Sequence, residues 1–192
     1  MWATMEDILA RLRPRLLPPG PWPPGRVGER QAAVLVPFVQ VGAEPALLFI
    51  RRAEGLDVHS GQVAFPGGNR DPGDADPVAT ALREAGEEVG LAPTDVEVFG
   101  LLADVVTMST GFCITGVVAR LTPGFVPRPD RREVAEAFTV PVAAIADPAV
   151  YREELRTAGG VARAVPYFDV APYLVWGATG RIVRRLLDYL AA

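Results

Sequence analysis

The segment from Asp76 to Gly90 constrains the fold most, because it carries both a start signal and a stop signal for a helix. Asp76 is a good N-cap residue, and Pro77 suits the first helical position. Gly90 suits the left-handed position that follows a helix. One stripe of this helix is apolar and is predicted to face a core: Val78, Leu82, Ala85 and Val89. The sequence therefore predicts a central helix over residues 77–89.

The rest of the chain mixes strand and helix patterns without repeats. Strands are predicted at 32–39, 46–52, 62–65, 96–106, 112–121, 137–140, 167–170 and 173–176. Helices are predicted at 4–16, 143–146, 150–157 and 179–190. A loop is predicted at 68–77, and residues 18–24 are proline-rich and form an extended arm. The pattern predicts one domain over residues 1–192, with a mixed sheet packed against helices and the first helix and arm within residues 1–30.

Composition narrows the class of protein. The chain has 192 residues, 49% of them hydrophobic, which suits a globular domain. The net charge of -4 gives no basic field for nucleic acid, and no apolar run is long enough to span a membrane. A lone cysteine, Cys113, fits a reducing cytoplasm, and with a single histidine it excludes a Cys/His zinc site.

Three glutamates share one face of the predicted helix. Glu84, Glu87 and Glu88 are related as i, i+3 and i+4, so their carboxylates can approach one hard divalent cation. A solvated acidic face is the more common fate of such a cluster. Gly67 and Gly68 shortly before the helix favour the metal site, because their main chain can approach an ion without interference from Cβ atoms.

The segment Gly68–Leu91 ends in Arg83-Glu84-Ala85-Gly86-Glu87-Glu88-Val89-Gly90-Leu91 and resembles the box of the Nudix hydrolases. We place this box at residues 67–91. The first half departs from the family pattern: a one-residue insertion would put Asp74 or Asp76 at the position of an early glutamate. Upstream, Arg52 and the run His59–Gly68 resemble the coenzyme A pyrophosphatase subgroup.

The resemblance implies a Nudix-like α/β/α sandwich, with a mixed sheet between helices, and a set of site residues. Glu84 and Glu88 would be the main ligands of Mg²⁺ or Mn²⁺, with Glu87 a third and the carbonyl of Gly67 or Gly68 completing the shell. Arg83 would orient Glu87. Residues expected to contact substrate are Arg52, His59, Gly68 and Arg70. The identity of the general base stays open, with Glu87, Glu88, Glu133 and Glu136 as candidates, and Glu133 is expected among the catalytic residues with Arg83, Glu84, Glu87 and Glu88.

The activity implied is metal-dependent hydrolysis of the diphosphate of coenzyme A to 3′,5′-ADP and 4′-phosphopantetheine. A Nudix pyrophosphatase for another nucleoside diphosphate conjugate, such as ADP-ribose, is one alternative. A catalytically silent binding module is another. The expected partner is a small nucleotide in the cytoplasm, bound by a monomer or a homodimer.

Overall fold

A computed structural model describes residues 4–22, 30–54, 61–107, 111–158 and 160–192. The helices are α1 (Met5–Leu12), α2 (Pro77–Val89), α3 (Val142–Ile145) and α4 (Gly177–Ala191). The strands are β1 (Arg30–Val41), β2 (Glu44–Arg52), β3 (Val63–Ala64), β4 (Gly67–Asn69), β5 (Val96–Leu101), β6 (Val105–Val106), β7 (Phe112–Leu121), β8 (Val134–Pro141), β9 (Tyr151–Ala158), β10 (Val161–Val170) and β11 (Tyr173–Trp176). Short 3-10 turns cover Arg13–Arg15, Pro93–Asp95 and Pro148–Val150.

Two sheets organise these strands. The larger one has eight strands in the order β3-β2-β1-β7-β5, with β4 on β1, β6 on β7 and β8 on β2. Its β1–β7 pair is parallel, and its other pairs are antiparallel, so the sheet is mixed as expected. The smaller sheet is antiparallel in the order β11-β10-β9.

Helices cover both faces of the larger sheet. Successive side chains of β1 point to opposite faces, so Val36 and Phe38 join one core while Ala33 and Leu35 join the other. The first core also contains the apolar residues of α1 and α4, and the second contains those of α2. This arrangement confirms the α/β/α sandwich. Within the described residues, no helix is long and apolar enough to cross a membrane.

The central helix has the predicted bounds and caps. The Asp76 carboxylate accepts from the Ala79 N–H at 2.8 Å, and Gly90 adopts φ +70°. Ala85 and Val89 are buried, but Val78 and Leu82 are only half-buried, because Ala81 lies closer to the sheet. The apolar stripe is therefore rotated slightly from the one that periodicity predicts.

Three sequence predictions need correction. The helix predicted at 150–157 is strand β9, paired along its length with β10. Cross-strand contacts such as Arg152–Asp169 (3.3 Å) replace the helical contacts that Glu, Leu and Arg favour in isolation. The loop predicted at 68–77 begins with β4, which pairs with β1. The single strand predicted at 96–106 is broken at residues 102–104 into β5 and β6.

Candidate functional site

A cavity of about 840 Å³ opens beside β1, β4, α2 and the start of α4. The acidic end of this cavity is formed by Glu84, Glu88 and Glu133, together with Arg52. Gly67 and Gly68 form the wall beside them. Residues from four separate parts of the chain thus converge on one space.

Glu88 is the most deeply buried of these acids, with 2% of its surface exposed. Its carboxylate accepts from the Gly67 N–H at 2.9 Å and lies 3.5 Å from the Arg52 guanidinium. Burial raises the pKa of Glu88 to about 7, although both of these contacts favour the charged form. A neighbouring cation would relieve this cost, so the environment suits a metal ion.

Glu84 lies against the main chain of Gly68. A Cβ atom added at Gly68 would stand 2.5 Å from the carboxyl carbon of Glu84, so no larger residue fits there without displacing the carboxylate. Burial raises the pKa of Glu84, and the negative charges of Glu87 and Glu133 add to the effect. The positive charge of Arg83, 3.0 Å from Glu84, acts in the other direction and lowers that pKa. Glu84 and Glu88 thus form a crowded pair of acids beside a glycine.

Arg83 holds the loop before the helix to the glutamate segment. Its guanidinium donates to Asp74 at 3.0 Å and 3.2 Å and to the Asn69 carbonyl at 3.0 Å. The expected contact with Glu87 is present but longer, at 3.5 Å. Asp74 is buried, also accepts from the Thr80 hydroxyl at 2.7 Å, and has its pKa held well below the usual range by Arg83. Arg83 therefore lies closer to Asp74 and Glu84 than to Glu87.

The glutamates of α2 do not all reach the cavity. Glu87 is 61% exposed, faces Arg83 from the solvent side and is absent from the cavity lining. Within the described part of the chain, no three acidic, cysteine or histidine side chains form a complete metal-ligand set by themselves. Since Mg²⁺ commonly retains several waters, two carboxylates and a main-chain carbonyl are enough to hold it. The residues present fit such an ion.

The pairing of β4 with β1 distinguishes the two glycine carbonyls. The Leu35 N–H donates to the Pro66 carbonyl, and the Arg70 N–H donates to the Gln31 carbonyl. Hydrogen-bonded pairs recur at every second residue of an antiparallel ladder, so Ala33 and Gly68 form the pair between them. The main-chain groups of Gly67 therefore point away from β1, and its N–H already binds Glu88. Of the two carbonyls, that of Gly67 is the better placed for a metal.

Glu133 and Glu136, the two loop candidates for the general base, lie in different surroundings. Glu133 lines the cavity, and its charge contributes to raising the pKa values of Glu84 and Glu88. Glu136 accepts from the Tyr173 hydroxyl at 2.8 Å and lies 3.5 Å from Arg51, outside the cavity lining. Glu133 is therefore the better placed of the two.

Of the two arginines expected to contact substrate, only Arg52 lines the cavity. Arg52 faces the cavity while its neighbour Arg51 faces Glu136, as strand alternation predicts. Arg70 donates to the Gln31 side chain at 2.7 Å, lies over the Trp22 ring and is absent from the cavity lining. His59 lies outside the described residues.

Three arginines at the opposite end of the cavity were not anticipated from the sequence: Arg30, Arg156 and Arg181. Phe112 and Trp176 also line the cavity. Each arginine comes from a different element, and no motif joins them, so spacing along the chain carried no signal. For Asp74 the sequence contained a weak indication of a role, because the one-residue insertion ahead of the helix made it one of two candidates for an early acidic position.

Comparison with known proteins agrees with this geometry. The family model described as NUDIX domain matches residues 29–158. The chain is 37% identical over 185 residues to a protein of Photorhabdus laumondii named uncharacterized Nudix hydrolase NudL, covering 95% of this chain and 96% of that protein. It is 38% identical over 186 residues to the protein of the same name from Escherichia coli K12, covering 95% and 93%.

Solved structures show a similar fold. The crystal structure of a Nudix hydrolase from M. smegmatis, RenU, aligns with a TM-score of 0.52 and 29% identity, covering 62% of this chain and 75% of that one. The binary complex of a C. elegans Ap4A hydrolase aligns with a TM-score of 0.50 and 18% identity, covering 58% and 80%. The second likeness shows the fold alone.

Proposed function

Because the chain belongs to the Nudix hydrolase family and is a pyrophosphatase, we propose that its substrate is coenzyme A. The reaction would release 3′,5′-ADP and 4′-phosphopantetheine with Mg²⁺ or Mn²⁺ bound. One observation carries this proposal: the segment that resembles the coenzyme A subgroup forms a wall of the cavity. Arg52, Gln62, Phe65, Gly67 and Gly68 from that segment all line it.

We assign the metal to the acidic end of the cavity. Glu84, Glu88 and the Gly67 carbonyl would hold the ion, and Gly68 leaves room for the Glu84 carboxylate. A bound divalent ion would neutralise charge on the diphosphate and lower the pKa of an attacking water. Glu87, being exposed, would reach the ion through water. Arg83 positions Glu84, and Asp74 in turn positions Arg83.

The remaining cavity residues act on the substrate and on the water. Arg52 lies beside Glu88 and can donate to a phosphate oxygen, for which its planar fork is suited. Glu133 is proposed as the general base, because it lines the cavity and its charge raises the pKa values of the two proposed metal ligands, Glu84 and Glu88. Cleavage of an anhydride then depends on positioning and charge, without a covalent enzyme intermediate.

Residues outside the part matched by the family model pack in the same core as residues within it. Helix α1 and helix α4 pack in the same core as the larger sheet, so residues near both ends of the described chain share its apolar interior. We therefore propose a single domain over residues 1–192. Removal of α1 is expected to expose the apolar side of α4 and to lower the free energy of unfolding.

A turnover panel tests the substrate. The purified chain is incubated with Mg²⁺ and either coenzyme A or ADP-ribose, and the products are identified by mass in ¹⁸O water. We expect cleavage of coenzyme A to the two named products, with ¹⁸O in one of them. Brisk cleavage of ADP-ribose without cleavage of coenzyme A would assign the chain to another nucleoside diphosphate conjugate.

The same assay tests the catalytically silent alternative. The Glu84 and Glu88 carboxylates are both retained at the cavity, which supports an active site. Replacement of either by Gln is expected to remove hydrolysis. Equal and negligible turnover of every substrate by the wild type and by the variant would favour a binding module.

A further inference from the structure

The cavity has a second charged region, which we call the arginine end and define by Arg30, Arg156 and Arg181. Three cations line this end, whereas the acidic end contains three carboxylates and one arginine. The diphosphate and its metal would occupy the acidic end. Neither of them explains why three arginines line the other end.

Contacts along the wall hold two of these arginines at the same end. Arg181 donates to the Val106 carbonyl at 3.2 Å. The next residue, Thr107, is hydrogen-bonded to Phe112 through its main chain and its hydroxyl. The Arg30 guanidinium lies 4.0 Å from the centre of the Phe112 ring. Arg30 and Arg181 are therefore linked through one short stretch of wall.

Arg156 approaches the same region from the smaller sheet. Its cross-strand partner is Arg163, whose positive charge acts on Arg181. Burial lowers the pKa of Arg181, and the charge of Arg163 lowers it further. Glu154 pairs with Arg156 at 2.8 Å but does not line the cavity. Like charges held together at a cavity wall are favourable when an anion binds between them.

Strand β1 connects the two ends. Arg30, Ala32 and Val34 alternate along the cavity wall, and Val34 pairs with Gly67 at the acidic end. Four residues of strand correspond to roughly 13 Å. Because arginine side chains are long, a guanidinium group can lie closer to the acidic end than its Cα atom does. The separation suits a nucleotide with a 5′ diphosphate at one end and a phosphate on its ribose towards the other.

We propose that the arginine end binds a phosphomonoester on the nucleoside part of the substrate, separate from the diphosphate that is cleaved. The proposal rests on the proposed function: coenzyme A has such a group at the ribose 3′ position, and ADP-ribose lacks it. The arginine end is thus the specificity determinant between these two classes of substrate. Trp176, which is 36% exposed and lines the same wall, offers a surface for the adjoining base.

Binding of adenosine 3′,5′-bisphosphate and of AMP tests the proposal without any need for turnover. Titration calorimetry with Mg²⁺ is done on the wild type, Arg156→Gln and Arg181→Gln. Arg152→Gln is the matched control, because Arg152 lies on the same strand and over the same Tyr167 ring, outside the cavity lining. Arg184→Gln is the corresponding control on α4, where Arg184 pairs with Asp188 and does not line the cavity.

The wild type is expected to bind the bisphosphate at least about tenfold more tightly than AMP, since a charge-assisted contact contributes roughly that much. Each cavity variant should lose most of this preference while its affinity for AMP changes little. Both controls should retain the preference. Equal binding of the two nucleotides by the wild type, or an equal loss of preference in the controls, would overturn the proposal.

Kinetics with coenzyme A and dephospho-coenzyme A separate this proposal from the proposed function. The wild type should favour coenzyme A in kcat/KM, and Arg181→Gln should equalise the two substrates mainly through KM. Cleavage of both substrates with equal kcat/KM would refute the proposed role of the arginine end and leave the pyrophosphatase assignment intact. Preferential binding of the bisphosphate without cleavage of coenzyme A would refute the proposed substrate and leave the arginine end intact.

Discussion

Replacement of Glu88 by Gln is expected to stabilise the metal-free protein at alkaline pH while it removes hydrolysis. The Glu88 side chain is 2% exposed, and burial raises its pKa from the usual 4.5 to about 7. Glutamine has nearly the same shape, can still accept from the Gly67 N–H and carries no charge to desolvate. This proposed metal ligand would thus destabilise the folded protein when no metal is bound.

The sign and size of the effect follow from linkage. Because the folded protein holds this proton more tightly than the unfolded chain, the stability of the metal-free wild type falls as the pH rises from about 4.5 to about 7. The difference in pKa corresponds to a destabilisation of the metal-free wild type by roughly 3 kcal/mol at pH about 8, which falls to about 1 kcal/mol at pH about 5. Because the attraction of Arg52 already contributes to that pKa, the neutral variant should gain about 3 kcal/mol at the higher pH and about 1 kcal/mol at the lower.

Thermal unfolding in EDTA at both pH values measures this difference. For a chain of this size, a gain of about 3 kcal/mol raises Tm by roughly 6–12 °C. Addition of Mg²⁺ should then stabilise the wild type and leave the variant unchanged, because the variant lacks one of the two carboxylates proposed to hold the ion. Destabilisation of the variant at the higher pH in EDTA, or an equal shift at both pH values, would refute the reasoning about the buried charge.

Three further substitutions test other parts of the site. Glu133→Gln should lower kcat by about a hundredfold or more while stabilisation by Mg²⁺ persists, as expected of a base that is not a ligand; a loss of that stabilisation would make Glu133 a ligand. Gly68→Ala places a Cβ 2.5 Å from the carboxyl carbon of Glu84, a proposed metal ligand, and should remove most of the activity, whereas Gly73→Ala, which meets nothing within 4 Å, should not; equal activities in a hydrolysis assay would contradict this. Asp74→Asn should lower the free energy of unfolding in urea by about 2–4 kcal/mol, because it removes the buried carboxylate that accepts two hydrogen bonds from Arg83. Since the pKa of Asp74 is depressed, its contribution is present at neutral pH and lost in acid, so the variant and the wild type should converge as the pH falls.

Local signals in the sequence determined the central helix and its acidic face. Asp76 and Gly90 fixed the ends of α2, because capping depends on residues within one turn of each terminus. The i, i+4 spacing of Glu84 and Glu88 likewise places both on one side of a helix whatever surrounds it. Alternation along a strand also places the neighbours Arg51 and Arg52 on opposite faces of β2. Each of these inferences uses only neighbours in the chain.

Strand β9 shows where local signals failed. Residues 151–158 contain Arg, Glu and Leu, which favour helix, yet they pair with β10 along their whole length. The preference of a short segment is small compared with the contacts that an adjacent strand and a nearby core supply. Only the folded chain brings these contacts to it.

Patterns within a few residues of one another predicted a carboxylate-bearing helix on a mixed sheet, with a glycine pair beside it. Folding determined which residues meet: Arg83 closer to Asp74 than to Glu87, Glu133 at the cavity, the Gly67 carbonyl directed away from β1, and an arginine end assembled from three distant elements. Most of these contacts join residues that are far apart in the chain. Periodicity and capping act within a few residues, whereas burial, ion pairing and the shape of a cavity depend on segments that only folding brings together.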